Sequence, residues 1–185
     1  MKVLLHTCCG PCASACVPEL KARGHEAAMF FSNSNIAPHE EFLKRAKNAA
    51  TLAEAEGVEL HVDAPDHGDW LEKVAKGFEN EPEKGERCLR CFRYNLARTA
   101  RFAEEHGFDA FTTSLTVSPH KVSPAIFSCG HKVESAGCPF LEIDFKKKDG
   151  FLKSLARAAE LGLYRQSWCG CEFSRRGAKG GEGGG

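Results

Sequence analysis

The sequence contains no apolar run that approaches the roughly 20 residues needed for a membrane-spanning helix. Its first apolar stretch, residues 1–6, is also too short for the hydrophobic region of a secretory signal. Net charge is absent as well, since 25 Lys and Arg balance 25 Asp and Glu. We therefore expect a cytoplasmic protein that does not interact with a membrane.

The length and composition are those of an ordinary globular domain. The chain has 185 residues, of which 42% are hydrophobic and 27% charged. A chain of this size can bury a core without help from disulfides. We predict one α/β domain over residues 1–176, a disordered Gly-rich tail over residues 177–185, and a monomeric state.

Cysteine, in contrast, is abundant, with ten residues in the chain. A disulfide-stapled secreted scaffold would be shorter and would lack long helical patterns. Without an export signal the thiols are expected to stay reduced. Clustered reduced thiols indicate metal binding or redox chemistry.

Apolar runs and helical patterns alternate along the chain, which predicts βαβ units and a mainly parallel sheet. The predicted strands are Lys2–His6, Ala27–Ser32, Val58–Val62, Ala110–Thr113 and, as a fifth, Pro139–Ile143. The predicted helices are Cys12–Arg23, Pro38–Gly57, Asp69–Phe78, Cys88–His106 and Lys153–Leu161. The fold class is a three-layer, Rossmann-like α/β fold. Ligands of such folds bind at the carboxyl ends of the strands, where a cysteine pair follows the first strand.

Seven of the cysteines form three motifs, and we predict that the other three, Cys16, Cys129 and Cys138, are core or surface residues. The motifs are Cys8-Cys9-Gly-Pro-Cys12, Cys88-Leu-Arg-Cys91 and Cys169-Gly-Cys171. The second begins a predicted helix, whose N-terminus is expected to lower thiol pKa values and favour the charged ligand form.

Soft thiolate ligands select zinc or iron–sulfur clusters over hard cations. Adjacent Cys8 and Cys9 chelate a single zinc awkwardly and fit better on a larger cluster. Spacing alone favours iron–sulfur but leaves zinc, and thiol redox chemistry without metal, as alternatives. Cys9-Gly-Pro-Cys12 is itself similar to a thioredoxin-type motif, so Cys12 is either a further ligand or a buried small residue.

The third motif has one residue between its cysteines. Such a pair can form a strained and easily reduced disulfide, and Gly170 supplies the backbone freedom that the small ring needs. We hypothesise that Cys169 and Cys171 pass electrons from an external donor. The alternative is that one or both of them bind metal.

Five segments of the chain resemble motifs of one known family. They are Leu-Leu-His-Thr-Cys8-Cys9-Gly-Pro-Cys12, Phe30-Phe31-Ser-Asn-Ser-Asn35-Ile36, Arg87-Cys88-Leu-Arg-Cys91-Phe92-Arg93, Phe111-Thr-Thr-Ser-Leu-Thr-Val-Ser-Pro-His120-Lys121 and Leu163-Tyr164-Arg165-Gln166-Ser-Trp168-Cys169-Gly-Cys171. Asp144-Phe-Lys-Lys-Lys-Asp-Gly150 adds a sixth. With these segments the chain is identified as a member of the cobalamin-independent epoxyqueuosine reductase family over residues 2–176.

The resemblance implies an enzyme that removes the epoxide oxygen of epoxyqueuosine at the wobble position of tRNA. It implies that Cys8, Cys9, Cys88 and Cys91 hold a [4Fe–4S] cluster and that Cys169 and Cys171 form a redox-active disulfide. One additional iron is also implied, with Cys12, Cys169 and Cys171 as its candidate ligands.

A tRNA substrate would meet the basic C-terminal quarter of the chain, where residues 144–179 carry nine Lys or Arg against four Asp or Glu. The candidate phosphate-binding residues are Lys146, Lys147, Lys148, Arg165, Arg175 and Arg176, although a solvated surface would have the same composition. The candidate proton donors are His39, His120, Tyr164 and Asp149.

Two other functions are weighed against the reductase. One is a zinc-stabilised RNA-binding module without catalysis, which metal analysis would reveal. The other is a tRNA-modifying enzyme that uses a nucleotide, since the predicted sheet is similar to the HUP and PP-loop folds. The second is disfavoured because Cys-Cys-Gly-Pro replaces the SGGxDS-type phosphate loop after the first strand.

Overall fold

The computed structural model describes residues 1–178, with side chains through residue 175. The last helix runs to Ala178, two residues beyond the predicted end of the domain. The rest of the predicted tail, residues 179–185, lies outside the described residues. Within the described chain, no helix is long and apolar enough to cross a bilayer.

Four parallel strands form the sheet in the order β3-β2-β1-β4. They are β1 (Lys2–His6), β2 (Glu26–Phe31), β3 (Leu60–Val62) and β4 (Ala110–Thr113). Side chains of the central strands alternate between two cores: Leu5 lies in one and Leu4 in the other. Strands buried on both faces read as continuous apolar runs, and this explains why the sequence located them well.

The described residues form seven α-helices, five of which cover the two faces of the sheet. The seven are α1 (Gly10–Ala22), α2 (His39–Glu56), α3 (His67–Trp70), α4 (Glu86–Glu105), α5 (Ser123–His131), α6 (Gly150–Glu160) and α7 (Glu172–Ala178). Helices α1, α2 and α6 pack on one face, while α4 and α5 pack on the other. The predicted three-layer α/β fold is therefore confirmed. The predicted helix Asp69–Phe78 is instead α3 followed by one π-helical turn, Leu71–Ala75.

The predicted fifth strand, Pro139–Ile143, is wrong. Only Phe140 pairs with the sheet, through a single parallel bridge to Phe111. Beyond it the main chain binds threonine side chains instead of a ladder. The hydroxyl of Thr112 donates to Leu141 O at 2.9 Å and that of Thr116 to Ile143 O at 2.8 Å. Side-chain donors thus take carbonyls that a strand would have paired with backbone N–H groups.

The start of α1 lies directly against the backbone of α2. A Cβ atom on Gly10 would stand 2.7 Å from Asn48 O and 2.9 Å from Asn48 C. Glycine is therefore required for this close approach. Since Cys9 and Cys12 flank Gly10, the same contact fixes the position of the cysteine motif at the end of β1.

We predict that Gly10→Ala lowers the free energy of unfolding by about 1–3 kcal/mol, because the added methyl group forces α1 away from α2. Urea titration followed by circular dichroism measures the change. Gly68→Ala is the matched control, since the nearest atom to its Cβ would be Asp66 Oδ1 at 3.8 Å. Equal stabilities for the two variants would contradict the close approach.

Candidate metal centre

One cavity of about 690 Å³ opens at the carboxyl ends of the strands, where Cys8 follows β1, Asn33 follows β2 and Leu115 follows β4. Seven of the ten cysteines line it: Cys8, Cys9, Cys12, Cys88, Cys91, Cys169 and Cys171. The structure thus brings the three predicted motifs together at one site. Cys16, Cys129 and Cys138 are buried in the two cores, as the sequence predicted.

The first motif forms the tightest sulfur group. The Sγ atoms of Cys8, Cys9 and Cys12 all lie within 4.8 Å of one another, with 4.0 Å between Cys8 and Cys9. Cys9 caps α1, and its Sγ accepts from the N–H of Cys12 at 3.4 Å. Ser114 Oγ donates to Cys8 Sγ at 3.3 Å and accepts from its N–H at 3.0 Å. Cys12, which the sequence left open as a ligand, therefore belongs to this group.

The pKa values of the three thiols are shifted in different directions. Hydrogen bonds from Cys12 and Cys9 lower the pKa of Cys8 well below its usual value. Hydrogen bonds to Cys8 and Cys9, together with burial, raise the pKa of Cys12. A hydrogen bond with Cys12 lowers the pKa of Cys9, but the bond to Cys8 and burial raise it to about 12 overall. Of the three, Cys8 is thus the thiol whose charged form the site favours, and binding of a metal ion would displace the protons of the ligand thiols.

The second motif occupies the first two turns of α4. The N–H of Lys84 donates to Cys88 Sγ at 3.3 Å, and Asn95 Nδ2 donates to Cys91 Sγ at 3.7 Å. Burial raises the pKa of both thiols, with a further contribution from the charges of the third motif. The expectation that these pKa values are lowered is therefore wrong, because desolvation makes the largest contribution at both thiols.

Arg45 holds the third motif in place. Its guanidinium is 2% exposed and donates to Cys169 O at 2.8 Å and to Trp168 O at 3.3 Å. Its Nε donates to Glu41 at 2.7 Å. Gly170 has a φ of +133°, and a Cβ atom there would meet Ile36 Cγ1 at 3.0 Å. Glycine is therefore favoured at this position by its backbone conformation and close packing, whereas its predicted role in a disulfide ring stays a prediction.

The two cysteines of this motif differ in accessibility. Cys169 is exposed, while Cys171 is 8% exposed and directs its Sγ at Ser174 Oγ, 3.7 Å away. Both are free thiols, so the disulfide implied by the resemblance is not formed in the structure. Burial raises the pKa of Cys171.

Positive charge dominates the lining of the cavity. Five basic side chains, Arg45, Lys84, Arg87, Lys121 and Arg165, stand against one acidic side chain, Glu83. Lys121 is half-buried, and its carbonyl accepts from Lys146 Nζ at 2.7 Å. Burial opposes its charge, but the neighbouring sulfurs of Cys169 and Cys8 raise the pKa of Lys121 overall. It therefore carries a stable ammonium between the first and third motifs.

The predicted proton donors are dispersed. Of the four candidates, His120 alone lines the cavity. His39 stacks on Phe42 at a centroid distance of 5.9 Å, and the hydroxyl of Tyr164 faces Glu41 at 3.4 Å. Asp149 is exposed and begins α6 from a left-handed conformation, with φ of +62°.

The predicted phosphate-binding residues lie in different parts of the structure and do not form one group. Arg165 lines the sulfur cavity, and the guanidinium of Arg175 lies 4.4 Å above the ring of Trp168, which lines it too. Lys147 and Lys148 line a second cavity of about 270 Å³, whereas Lys146 bonds to the backbone of Lys121. Arg176 belongs to α7, and its side chain lies outside the described residues.

Some residues of the site were not anticipated as functional. Arg45, Trp70 and Asn95 line the cavity although they belong to none of the cysteine motifs. Lys121 is the last residue of a segment that resembles a family motif, and this resemblance was the one feature of the sequence that pointed to it. Arg45 and Trp70 carry no such signal, because their burial arises from tertiary packing.

The residues present fit an iron–sulfur centre. The donor set consists of thiols, three of which lie within 4.8 Å of one another without forming a disulfide. Thiol donors of this kind suit iron–sulfur clusters and zinc. The surrounding N–H and O–H groups already point at the sulfurs, as they do around protein-bound clusters.

Comparison with known proteins agrees with this site. The family described as epoxyqueuosine reductase QueH matches residues 3–177. The QueH of Streptococcus pyogenes serotype M1 is 36% identical over 184 residues, covering 94% of this chain and 70% of the relative. The QueH of Thermotoga maritima is 32% identical over 176 residues, covering 93% and 89%.

Solved structures show the same fold at low identity. The U34-tRNA thiolase NcsA from Methanococcus maripaludis with its [4Fe–4S] cluster gives a TM-score of 0.55 at 11% identity, covering 90% of this chain and 58% of that one. A protein described as a predicted subunit of tRNA methyltransferase from Methanocaldococcus jannaschii gives a TM-score of 0.56 at 18% identity, covering 84% of this chain and 75% of that one. These likenesses bear on the fold alone, whereas the sequence match extends over nearly the whole chain. This chain belongs to the epoxyqueuosine reductase QueH family.

Proposed function

We propose that this chain is an oxidoreductase of tRNA modification that reduces epoxyqueuosine at the wobble position to queuosine. Two electrons and two protons convert the epoxide to an alkene, and its oxygen leaves as water. An external donor supplies the electrons. The observation that carries the proposal is the convergence of seven cysteines from three motifs on one cavity, in a chain that belongs to this family.

The proposed cofactor is a [4Fe–4S] cluster held by Cys8, Cys9, Cys88 and Cys91. When bound, such a cluster supplies electrons one at a time. Cys12 is close enough to the first pair to share in a second metal site, with Cys169 and Cys171 as further candidates. If these two instead act as a redox pair, the dithiol stores the two electrons and two protons that the reaction consumes, and it is oxidised to a disulfide that the external donor reduces again.

The chain's own residues provide the environment of the reaction. Lys121 places a positive charge beside the thiols, and this charge offsets the negative charge that the sulfur ligands accumulate. His120 lies on the same lining and can carry a proton to the departing oxygen. Arg45 fixes the backbone of the third motif, so that Cys169 keeps its place at the cavity.

An anticodon loop fits the chemistry of the cavity mouth. Unstacked bases of RNA loops stack on aromatic rings and on guanidinium planes. Trp168 offers its ring beside Arg175, and Arg165 lies exposed on the same lining. A splayed wobble base can therefore enter beside Trp168 while its neighbouring phosphates meet the two arginines.

We predict that Arg165→Ala and Arg175→Ala each weaken tRNA binding roughly threefold to tenfold and reduce the salt slope by about one counterion. Fluorescence anisotropy with tRNA at several salt concentrations measures both quantities. Lys153→Ala is the control, because Lys153 is exposed, lines the second cavity and is not among the candidate phosphate-binding residues. Binding that stays constant from low to high salt would contradict a phosphate role for these arginines.

The test of the proposed function is anaerobic purification followed by turnover on tRNA that contains epoxyqueuosine. We expect iron and acid-labile sulfide in the protein, and queuosine in the nucleosides of digested product tRNA. One zinc per chain and no turnover would favour the alternative, a zinc-stabilised RNA-binding module. Family membership already speaks against that alternative.

A further inference from the structure

The indole N–H of Trp70 is buried without an oxygen or nitrogen partner. Trp70 is 1% exposed, and no such atom of the described residues accepts from its Nε1. A buried N–H group in that state is costly unless another acceptor serves it. Trp70 and Cys91 both line the sulfur cavity, and Cys91 packs against the apolar cluster that contains Trp70.

A second buried N–H group reaches the sulfur of Cys91. Asn95 lies four residues after Cys91 on α4, and its Nδ2 donates to Cys91 Sγ at 3.7 Å. The same Nδ2 donates to Asn35 Oδ1 at 3.0 Å. This bond fixes the orientation of the buried amide, so that the nitrogen and not the oxygen faces the sulfur.

Cys91 differs in this respect from the other cysteines of the proposed ligand set. In the described chain, Cys88 accepts from the backbone N–H of Lys84, and Cys8 accepts from the hydroxyl of Ser114. Cys91 accepts from the buried side-chain amide of Asn95 and packs against the cluster that contains Trp70, whose indole N–H has no partner among the residues that the structure describes. Hydrogen bonds to ligand sulfurs withdraw negative charge and thereby make a cluster easier to reduce.

We propose that Trp70 and Asn95 are positioning residues that raise the reduction potential of the iron–sulfur centre through hydrogen bonds to Cys91. This inference rests on the proposed function, because it takes Cys91 as a ligand of the cluster. It goes further in assigning a redox role to two residues outside the cysteine motifs. The electron that reduces the cluster comes from the external donor, and the two N–H groups remain bonded to sulfur throughout.

The test is a potentiometric titration of the full chain, reconstituted anaerobically with iron and sulfide and followed by electron paramagnetic resonance. At the wild-type midpoint, Trp70→Phe and Asn95→Leu should each lower the ratio of reduced to oxidised cluster about threefold. Together they should lower it about tenfold, which is a shift of about 59 mV for one electron. Thr99→Val is the matched control, because Thr99 is a buried donor one turn further along α4 that bonds to Asn95 O.

A second measurement distinguishes the loss of a hydrogen bond from poor folding or incomplete incorporation of the cluster. Electron–nuclear double resonance of the reduced wild-type protein in D₂O should show exchangeable protons coupled to the cluster, and Asn95→Leu should lose one of these couplings. Unchanged potentials and couplings in variants that carry a full cluster would overturn the inference and leave the proposed function intact. A wild-type protein that binds no iron–sulfur cluster would overturn both.

Discussion

Cys88→Ala is expected to abolish the visible absorbance of the iron–sulfur centre and to reduce turnover by more than about a hundredfold. Cys88 lies in the first turn of α4, on the cavity that also holds the sulfurs of the first motif. Its loss opens one corner of the proposed ligand set, and alanine offers no replacement donor. Ultraviolet–visible spectra, iron and sulfide content, and conversion of epoxyqueuosine in tRNA measure the outcome.

Cys129→Ala is the matched control for this change. Cys129 is also a free cysteine, and its Sγ bonds to Leu89 O at 3.6 Å, but it belongs to the core and does not line the cavity. We expect this variant to keep both the cluster and the activity, with a modest loss of stability from the smaller side chain. Full activity in Cys88→Ala would end the cluster hypothesis.

Lys121→Met is expected to lower kcat roughly a hundredfold, because it removes the positive charge that faces the thiols of the cavity. The methylene stem is kept, so the packing of the lining changes little. Protein stability should fall modestly, because the raised pKa of Lys121 indicates that the neighbouring thiols favour its ammonium in the folded chain more than burial disfavours it. Single-turnover kinetics with reduced enzyme, together with thermal unfolding, separates the two effects.

Charge and shape at this position are separated by a second substitution. Lys121→Arg keeps the charge and should retain a large part of the activity, whereas Lys153→Met removes an exposed lysine from the other cavity and should have no effect. If Lys121→Met were as active as the native protein, its ammonium would have no part in the reaction. Equal losses in the Met and Arg variants would indicate that the shape of the side chain matters and not its charge.

The sequence predicted the fold well where burial is two-sided. Each core strand is a short apolar run with a turn after it, and β4 was located with both ends correct. It failed at Pro139–Ile143, because an apolar run does not reveal that hydroxyls of Thr112 and Thr116 take its carbonyls. Competition between side-chain and backbone donors is decided by tertiary contacts and leaves no periodic signal.

The sequence identified the cysteines of the site but not the other residues that surround them. Spacing and family resemblance pointed to the seven cysteines that the cavity collects, but spacing alone could not decide the place of Cys12. Thiol pKa directions were also beyond reach, since burial raises the pKa values of Cys88 and Cys91, which were expected to be lowered. The burial of Arg45 could not be predicted from the sequence either. A charged residue in a helical pattern is expected at the surface, yet Arg45 is buried against the third motif.

If the third motif passes electrons, its unequal exposure gives their delivery a direction. A reducing protein is too large to enter the cavity, so it can touch the outer sulfur, Cys169, and not the inner one, Cys171. If the pair cycles through a disulfide, the donor's thiol must attack Cys169, and Cys171 becomes the leaving thiolate that faces the interior. Electrons would then enter the enzyme at one cysteine pair, in which the exposed Cys169 reacts with the donor and the buried Cys171 faces the metal centre.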